Sequence, residues 1–350
     1  MTLDRRVFLG VGAAASAASL AAATAPRPAP AAPRPLLRPK MLRPGDRVGV
    51  VDLSTPLYDP IIGERIRSLM AAMELTPVFA PHLLGRSREV GASRSERIAD
   101  LHAMFADPGI KGIFCARGGY GVSEIVADID YQLIQANPKV FLGFSDVTLL
   151  HLAIRRQAGL ITFHGHMPGQ AAFGPFTLEA LRRALFSASP QGLLPAPVES
   201  NPIRPQYPLR TIHPGHATGP LVGGNLSLIV SAMGTPWEVD TAGTILFVED
   251  IDENAYAIGR MLWQLRHAGK LARAAGIVVG ACVNCDRITD ASPYSLNEHL
   301  GMVLKDLGVP VLSGMVLGHT DDQLTVPLGV AATLDADART LTLLEPGVTA

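Results

Sequence analysis

Cysteine is scarce, with three residues in 350: Cys115, Cys282 and Cys285. So small and odd a count excludes a disulfide-framed scaffold. Charge is thin as well, with 30 Lys and Arg against 31 Asp and Glu, 17% of the chain and a formal net charge of -1. A nucleic-acid footprint needs a clustered basic excess, so no nucleic-acid partner is expected. The one long apolar stretch, up to Ala25, is Ala- and Gly-rich, weaker than the roughly 20 strongly apolar residues of a membrane span. What the chain has is apolar content, 48%, enough for one large core or two of ordinary domain size.

The N-terminus places Arg5-Arg6 before Val7-Phe8-Leu9 and the Ala-rich run, the pattern of a twin-arginine export signal over residues 1–25. A periplasmic location with no stable membrane span after signal removal is therefore expected. Residues 26–43 are rich in Pro and Ala and read as an extended, disordered tether. Cys282-Val-Asn-Cys285 has redox or half-zinc-site spacing, but the second ligand pair of a structural zinc is missing. Buried thiols are the favoured reading, with a labile disulfide as the other.

Strand-like and helix-like segments then alternate. Strands are expected at 47–53, 110–115, 140–144 and 161–164, and helices at 61–73, 95–105 (capped by Ser95), 122–127 and 147–157. This is the pattern of parallel β-α-β units, in which ligands collect at the carboxyl ends of the strands. Residues 44–189 form the expected N-terminal domain, and the Pro-rich 190–214 reads as a linker. Residues 215–350 form a second α/β domain with strands at 244–248, 276–283 and 309–312, helices at 256–267 and 296–307, and a closing hairpin around Ala336-Asp337-Ala338.

Chemistry is sought where strands end. Ser145 follows Gly143-Phe144 on a strand-to-helix turn, where a side chain projects above the sheet and the next N–H groups are unpaired. Taken alone the turn favours a helix cap by Ser145 or Asp146. Arg117-Gly118-Gly119-Tyr120-Gly121 is a second such turn, with neither P-loop nor dinucleotide spacing; an oxyanion donor, a phosphate cradle and a bare tight turn all remain open. The apolar strand at 244–248 ends in Glu249-Asp250, carboxylates that need partners if buried, read either as the acid of a catalytic set or as a salt bridge or cap to the next helix. His319 follows another apolar run. His164-Gly165-His166 lacks the carboxylates of a metal motif, so no metal is expected. Together these place a Ser, a carboxylate and a His at three strand ends, a permissible order for a triad.

The runs Ala116-Arg-Gly-Gly-Tyr-Gly121, Gly143-Phe-Ser-Asp146, Gly223-Gly-Asn-Leu226, Gly234-Thr-Pro236, Phe247-Val-Glu-Asp250, Gly318-His319 and Pro327-Leu-Gly329 resemble the LD-carboxypeptidases, a serine-peptidase family that includes the microcin C immunity peptidases. The resemblance spans about Pro44 to Leu344. It implies an α/β fold: an N-terminal parallel-sheet domain like the class I glutamine amidotransferases and a distinct C-terminal α/β domain. It also implies a homodimer. Carried over, the nucleophile falls on Ser145, the acid on Glu249, the base on His319, and the oxyanion donors on the backbone N–H groups of Gly119 and Asp146. The implied substrate is the peptidoglycan stem tetrapeptide, cut at its terminal D-Ala without cofactor. Arg117 is the candidate for the substrate's free carboxylate. Alternatives are an amide hydrolase of aminoacyl adenylates and a non-catalytic muropeptide-binding module. The chain departs from the family pattern at Val122-Ser-Glu-Ile125, where an Arg is usual, and at His164-Gly-His166, where His-Gly-Pro is usual.

Overall fold

Each of the two sheets in the computed structural model grows from short, β-branched or apolar runs alternating with helices. The structure describes residues 35–59, 61–84, 92–170, 173–198, 203, 206–289 and 292–350. The expected export signal and residues 26–34 of the expected tether lie outside them.

In chain order the first half contains β1 (Arg47–Val51), α1 (Ile61–Ala72), β2 (Thr76–Phe79), α2 (Arg94–Ala106), β3 (Ile110–Cys115), α3 (Val122–Ile125), α4 (Tyr131–Ala136), β4 (Val140–Gly143), α5 (Thr148–Ala158), β5 (Phe163–His164) and α6 (Pro175–Leu185). The second half contains β6 (Gly192–Leu193), β7 (Arg210–His213), β8 (His216–Asn225), α7 (Leu226–Ser231), β9 (Ile245–Ile251), α8 (Ala255–His267), α9 (Lys270–Arg273), β10 (Gly276–Val283), α10 (Leu296–Leu304), β11 (Val311–Met315), β12 (Val326–Pro327), β13 (Ala331–Asp335) and β14 (Thr340–Leu343).

The first sheet has the order β12-β5-β4-β3-β1-β2. Its strands are parallel except β12, which runs antiparallel to β5. The second sheet has the order β6-β14-β13-β8-β9-β10-β11-β7. Its centre, β8 to β11, is parallel, and its flanks are antiparallel. The fold is thus mixed α/β with a parallel-sheet N-terminal region. Strand β1 is buried at four of its five positions, β3 at five of six, and β9 along Ile245–Asp250, as sheets covered on both faces require.

Three departures from the sequence expectations have local causes. Helix α2 is capped by Ser93 and not Ser95: the Ser93 hydroxyl accepts the Glu96 N–H and the Glu96 carboxylate accepts the Ser93 N–H, a reciprocal capping box. The Pro-rich 190–214 contributes both edge strands of the second sheet, β6 and β7. Its backbone pairs although its side chains carry no clear period, because an edge strand buries little. Residues 37–42, expected within the tether, are docked. Leu37 N–H donates to Gly159 O at 2.8 Å, Met41 N–H to Thr349 O at 2.7 Å and Leu42 N–H to Leu185 O at 2.8 Å. Arg38 pairs with Glu345 at 2.6 Å, and Leu42 is only 1% exposed.

The chain leaves β11 in the second sheet and reaches β12 in the first through residues 316–325, so this one segment spans both sheets.

Candidate active site

Strand β4 is buried throughout and ends at Gly143. The chain then turns through a short 3-10 segment, Ser145–Val147, into α5. Ser145 is held at φ 61°, the left-handed region that a residue with a Cβ adopts only at a cost of about 1–3 kcal/mol. Such strain on a strand-to-helix turn lifts the hydroxyl clear of the sheet. Val147 fills the space beside Gly143, where a Cβ would stand 2.8 Å from its Cγ1. The Gly143 carbonyl is fixed by buried His151, whose Nε2–H donates to it at 2.9 Å while Nδ1 accepts from Thr162 at 2.9 Å. Burial holds this imidazole down to about 4 and so neutral.

Across the gap, residues 316–325 bring His319 over the turn. Ser145 Oγ lies 3.0 Å from His319 Nε2, and His319 Nδ1 lies 2.8 Å from Glu249 Oε2. With the carboxylate accepting from Nδ1–H, Nε2 is the acceptor for the serine proton. The Phe144 ring packs edge-on against the imidazole, with centroids 4.7 Å apart. Glu249 is fully buried on β9. Burial raises its carboxyl above the ordinary range, opposed by the hydrogen bond from His319. Gly318 makes this approach possible: at φ 109°, a Cβ there would stand 2.0 Å from Glu249 Oε2.

Asp250, beside Glu249, does different work. Its oxygens accept from Asn225 Nδ2 at 3.0 Å, Ser227 N–H at 3.0 Å and Ser227 Oγ–H at 2.8 Å. The cap expected from Glu249-Asp250 to the helix that follows in sequence is not formed; Asp250 bonds the start of α7 instead. Asn225 caps the same helix by accepting Leu228 N–H, and its own N–H donates to Thr148 of α5 at 3.1 Å.

The glycine turn after β3 faces Ser145. A methyl group on Gly118 would stand 2.9 Å from Ser145 Cβ, 3.1 Å from Oγ and 3.5 Å from Asp146 N. The missing side chain leaves open the space that the Gly118–Gly119 peptide and the Asp146 N–H border. Arg117 donates to Pro56 O at 3.2 Å and lies near Asp52. Cys282 and Cys285 are free thiols at the end of β10, with Cys285 buried and Cys282 half-buried. His164 and His166 do not share an environment: the first packs against Phe144 and Phe247, the second against Phe173.

Ser145, Glu249 and His319 therefore meet although 174 positions separate the first from the last. A serine, an imidazole and a buried carboxylate in this order can pass a proton from Oγ to Nε2 while the resulting imidazolium is stabilised by the carboxylate. Thr55, Ser54 and Arg97, which surround the glycine turn, carry no motif of their own. The only signal for the first two is the turn chemistry of Ser54-Thr55-Pro56 after β1, and for Arg97 a charge on the apolar face of a helix.

Two family models match the chain: the LD-carboxypeptidase N-terminal domain over residues 48–165 and the LD-carboxypeptidase C-terminal domain over residues 218–334. A Bacillus subtilis (strain 168) protein named probable murein peptide carboxypeptidase is 39% identical over 315 residues, covering 89% of this chain and 95% of its own. The murein tetrapeptide carboxypeptidase of Pseudomonas aeruginosa PAO1 is 30% identical over 262 residues, covering 73% and 82%. Among solved structures, muramoyltetrapeptide carboxypeptidase from Oxalobacter formigenes superposes with a TM-score of 0.74 at 26% identity, over 87% of this chain and all of that one.

Proposed function

The chain belongs to the LD-carboxypeptidase family, and on that premise we propose that it is a serine-type carboxypeptidase that releases the terminal D-alanine from peptidoglycan stem tetrapeptides. The observation that carries the reading is the Ser145–His319–Glu249 relay, with its 3.0 and 2.8 Å contacts.

His319 takes the Ser145 proton as Oγ attacks the carbonyl carbon of the scissile L-to-D amide. The negative charge that develops on the carbonyl oxygen is received by the N–H groups of Gly119 and Asp146, whose orientation is set before substrate arrives. Glu249 stabilises the imidazolium, which then gives its proton to the leaving amine of D-alanine. Water, deprotonated by the same imidazole, hydrolyses the acyl-enzyme. Every proton is handed between groups of this chain, its substrate and water. Arg117, at the edge of the turn, offers the cation that the D-alanine carboxylate requires. The protein acts as a periplasmic homodimer on released muropeptides or on the wall.

The test is D-alanine release from purified muropeptide tetrapeptide by the wild type and Ser145→Ala, with an aminoacyl sulfamoyl adenosine offered in parallel. Release by the wild type alone supports the reading. Undiminished release by the variant removes Ser145 from the mechanism, and cleavage of the adenylate analogue in preference to tetrapeptide replaces the substrate. Fractionation of cells carrying wild type or Arg5→Lys with Arg6→Lys tests export, and sedimentation tests the dimer.

A further inference from the structure

A glycine-rich turn has little stiffness of its own, since each glycine admits a wide range of backbone angles. An oxyanion donor nevertheless has to be held to within about 0.5 Å. The turn Arg117–Gly121 is held by side chains from three other segments. Thr55 Oγ1 accepts the Tyr120 N–H at 3.0 Å, and it approaches Gly119 so closely that a Cβ there would stand 2.0 Å from the hydroxyl. Asp146 Oδ2 accepts the Ser54 hydroxyl at 2.7 Å and the Val122 N–H at 3.0 Å. Arg97, fully buried on α2, donates to Leu53 O at 3.0 Å and Gly121 O at 2.8 Å, and pairs with Glu124.

The segments bonded in this way follow β1, β3 and β4, three adjacent parallel strands. The turn after the middle strand is thereby tied on one side to the nucleophile turn and on the other to Ser54-Thr55. We propose that Thr55, Ser54, Arg97 and the carboxylate of Asp146 are positioning residues that set the Gly119 N–H against Ser145. Asp146 then has two separable parts, a backbone N–H that faces the oxyanion and a side chain that aligns the second donor. The inference rests on the proposed function.

Thr55 gives the sharpest test, because it is only half-buried and one hydrogen bond is at stake. Wild type, Thr55→Val, Thr55→Ser and Ser145→Ala are compared by kcat and KM for D-alanine release, by the rate at which a fluorophosphonate labels Ser145, and by Tm. Misplacing a donor by about 1 Å costs up to about 10²-fold. Thr55→Val is expected to lose about 10- to 100-fold in both kcat and labelling rate, with KM within about threefold and Tm nearly unchanged. Thr55→Ser, which keeps the hydroxyl, is expected to stay within about threefold of wild type. Asp146→Asn, which keeps one oxygen acceptor, is expected to lose less than Asp146→Ala.

A Thr55→Val enzyme with unimpaired kcat and labelling overturns the proposal, as does a loss confined to KM, which would make Thr55 a substrate contact. If wild type is labelled but releases no D-alanine, the substrate reading fails while the labelling series still decides the role of Thr55. If wild type is neither labelled nor active, both fall together.

Discussion

At Ser145 the helix-cap reading does not hold: neither Ser145 nor Asp146 makes a side-chain cap on the 3-10 segment or on α5, and Ser145 Oγ lies 3.0 Å from His319 Nε2. The residue carries backbone strain, at φ 61°, that a cap alone does not need, while its neighbour Asp146 supplies the hydrogen bonds that tie the turn down. If Ser145 acts as proposed, Ser145→Ala is expected to lower kcat for D-alanine release by about 10⁴-fold or more. Glu249→Gln leaves Nδ1 without its carboxylate and is expected to cost about 10³- to 10⁴-fold in kcat at near-constant KM. Gly318→Ala provides an independent check. Its methyl group would displace Glu249 Oε2, so it should reproduce much of the Glu249→Gln loss although it removes no functional group. Normal turnover by Gly318→Ala would mean that the Glu249–His319 contact is dispensable.

At the scale of elements, strand ends and helix starts do most of the work. Ser93 and Ser95 are two residues apart, and only the first has its hydroxyl on Glu96 N–H. Ser93→Ala is expected to cost about 1 kcal/mol in urea unfolding, and Ser95→Ala only a few tenths. Equal losses would contradict the capping box. Leu42 precedes every strand in sequence, yet it is buried, with its side chain beside Gly112 of β3. Leu42→Ala is expected to destabilise by about 2–5 kcal/mol, and a loss under about 0.5 kcal/mol would show that residues 37–42 do not belong to the folded unit. The edge strands in 190–214 escape sequence patterning for a simple reason: they pair through backbone groups, which a hydrophobic period does not record.

Across the whole molecule, buried titratable groups set a pH dependence of stability. Burial lowers His151 and His166 to about 4 and lowers His164 well below the ordinary imidazole value. The unfolded chain therefore binds protons that the native state refuses, and stability is lost as pH falls from about 6.5 toward 4. Asp52 opposes this. Burial raises it to about 7, so its contribution is fully present below about 4 and lost as pH rises through 7. Burial raises Asp146 and Glu249 in the same sense, so imidazoles and carboxyls oppose each other and the Asp52 carboxyl is tested by itself. Asp52→Asn, which keeps an acceptor for Ser54 N–H, is expected to be more stable than wild type at pH 8, with the gain vanishing near pH 4. A pH-independent gain would mean that Asp52 is not protonated in the native state.

The sequence by itself determined the alternation of strands and helices, the two-sheet α/β class and the three strand ends that carry Ser145, Glu249 and His319. It did so because hydrophobic period and turn residues are local properties, and the motifs are short. Only the tertiary structure decided that these ends meet. Residues 316–325 cross from the second sheet to β12 of the first, which sets His319 over a turn formed 174 positions earlier. Tertiary contacts also decided which carboxylate of Glu249-Asp250 faces the imidazole and which caps α7, since adjacent residues on a strand point to opposite faces and sequence alone does not say which face holds the histidine. Thr55, Ser54 and Arg97 gained their place at the glycine turn in the same way, through neighbours that only the parallel order of β4, β3 and β1 brings together.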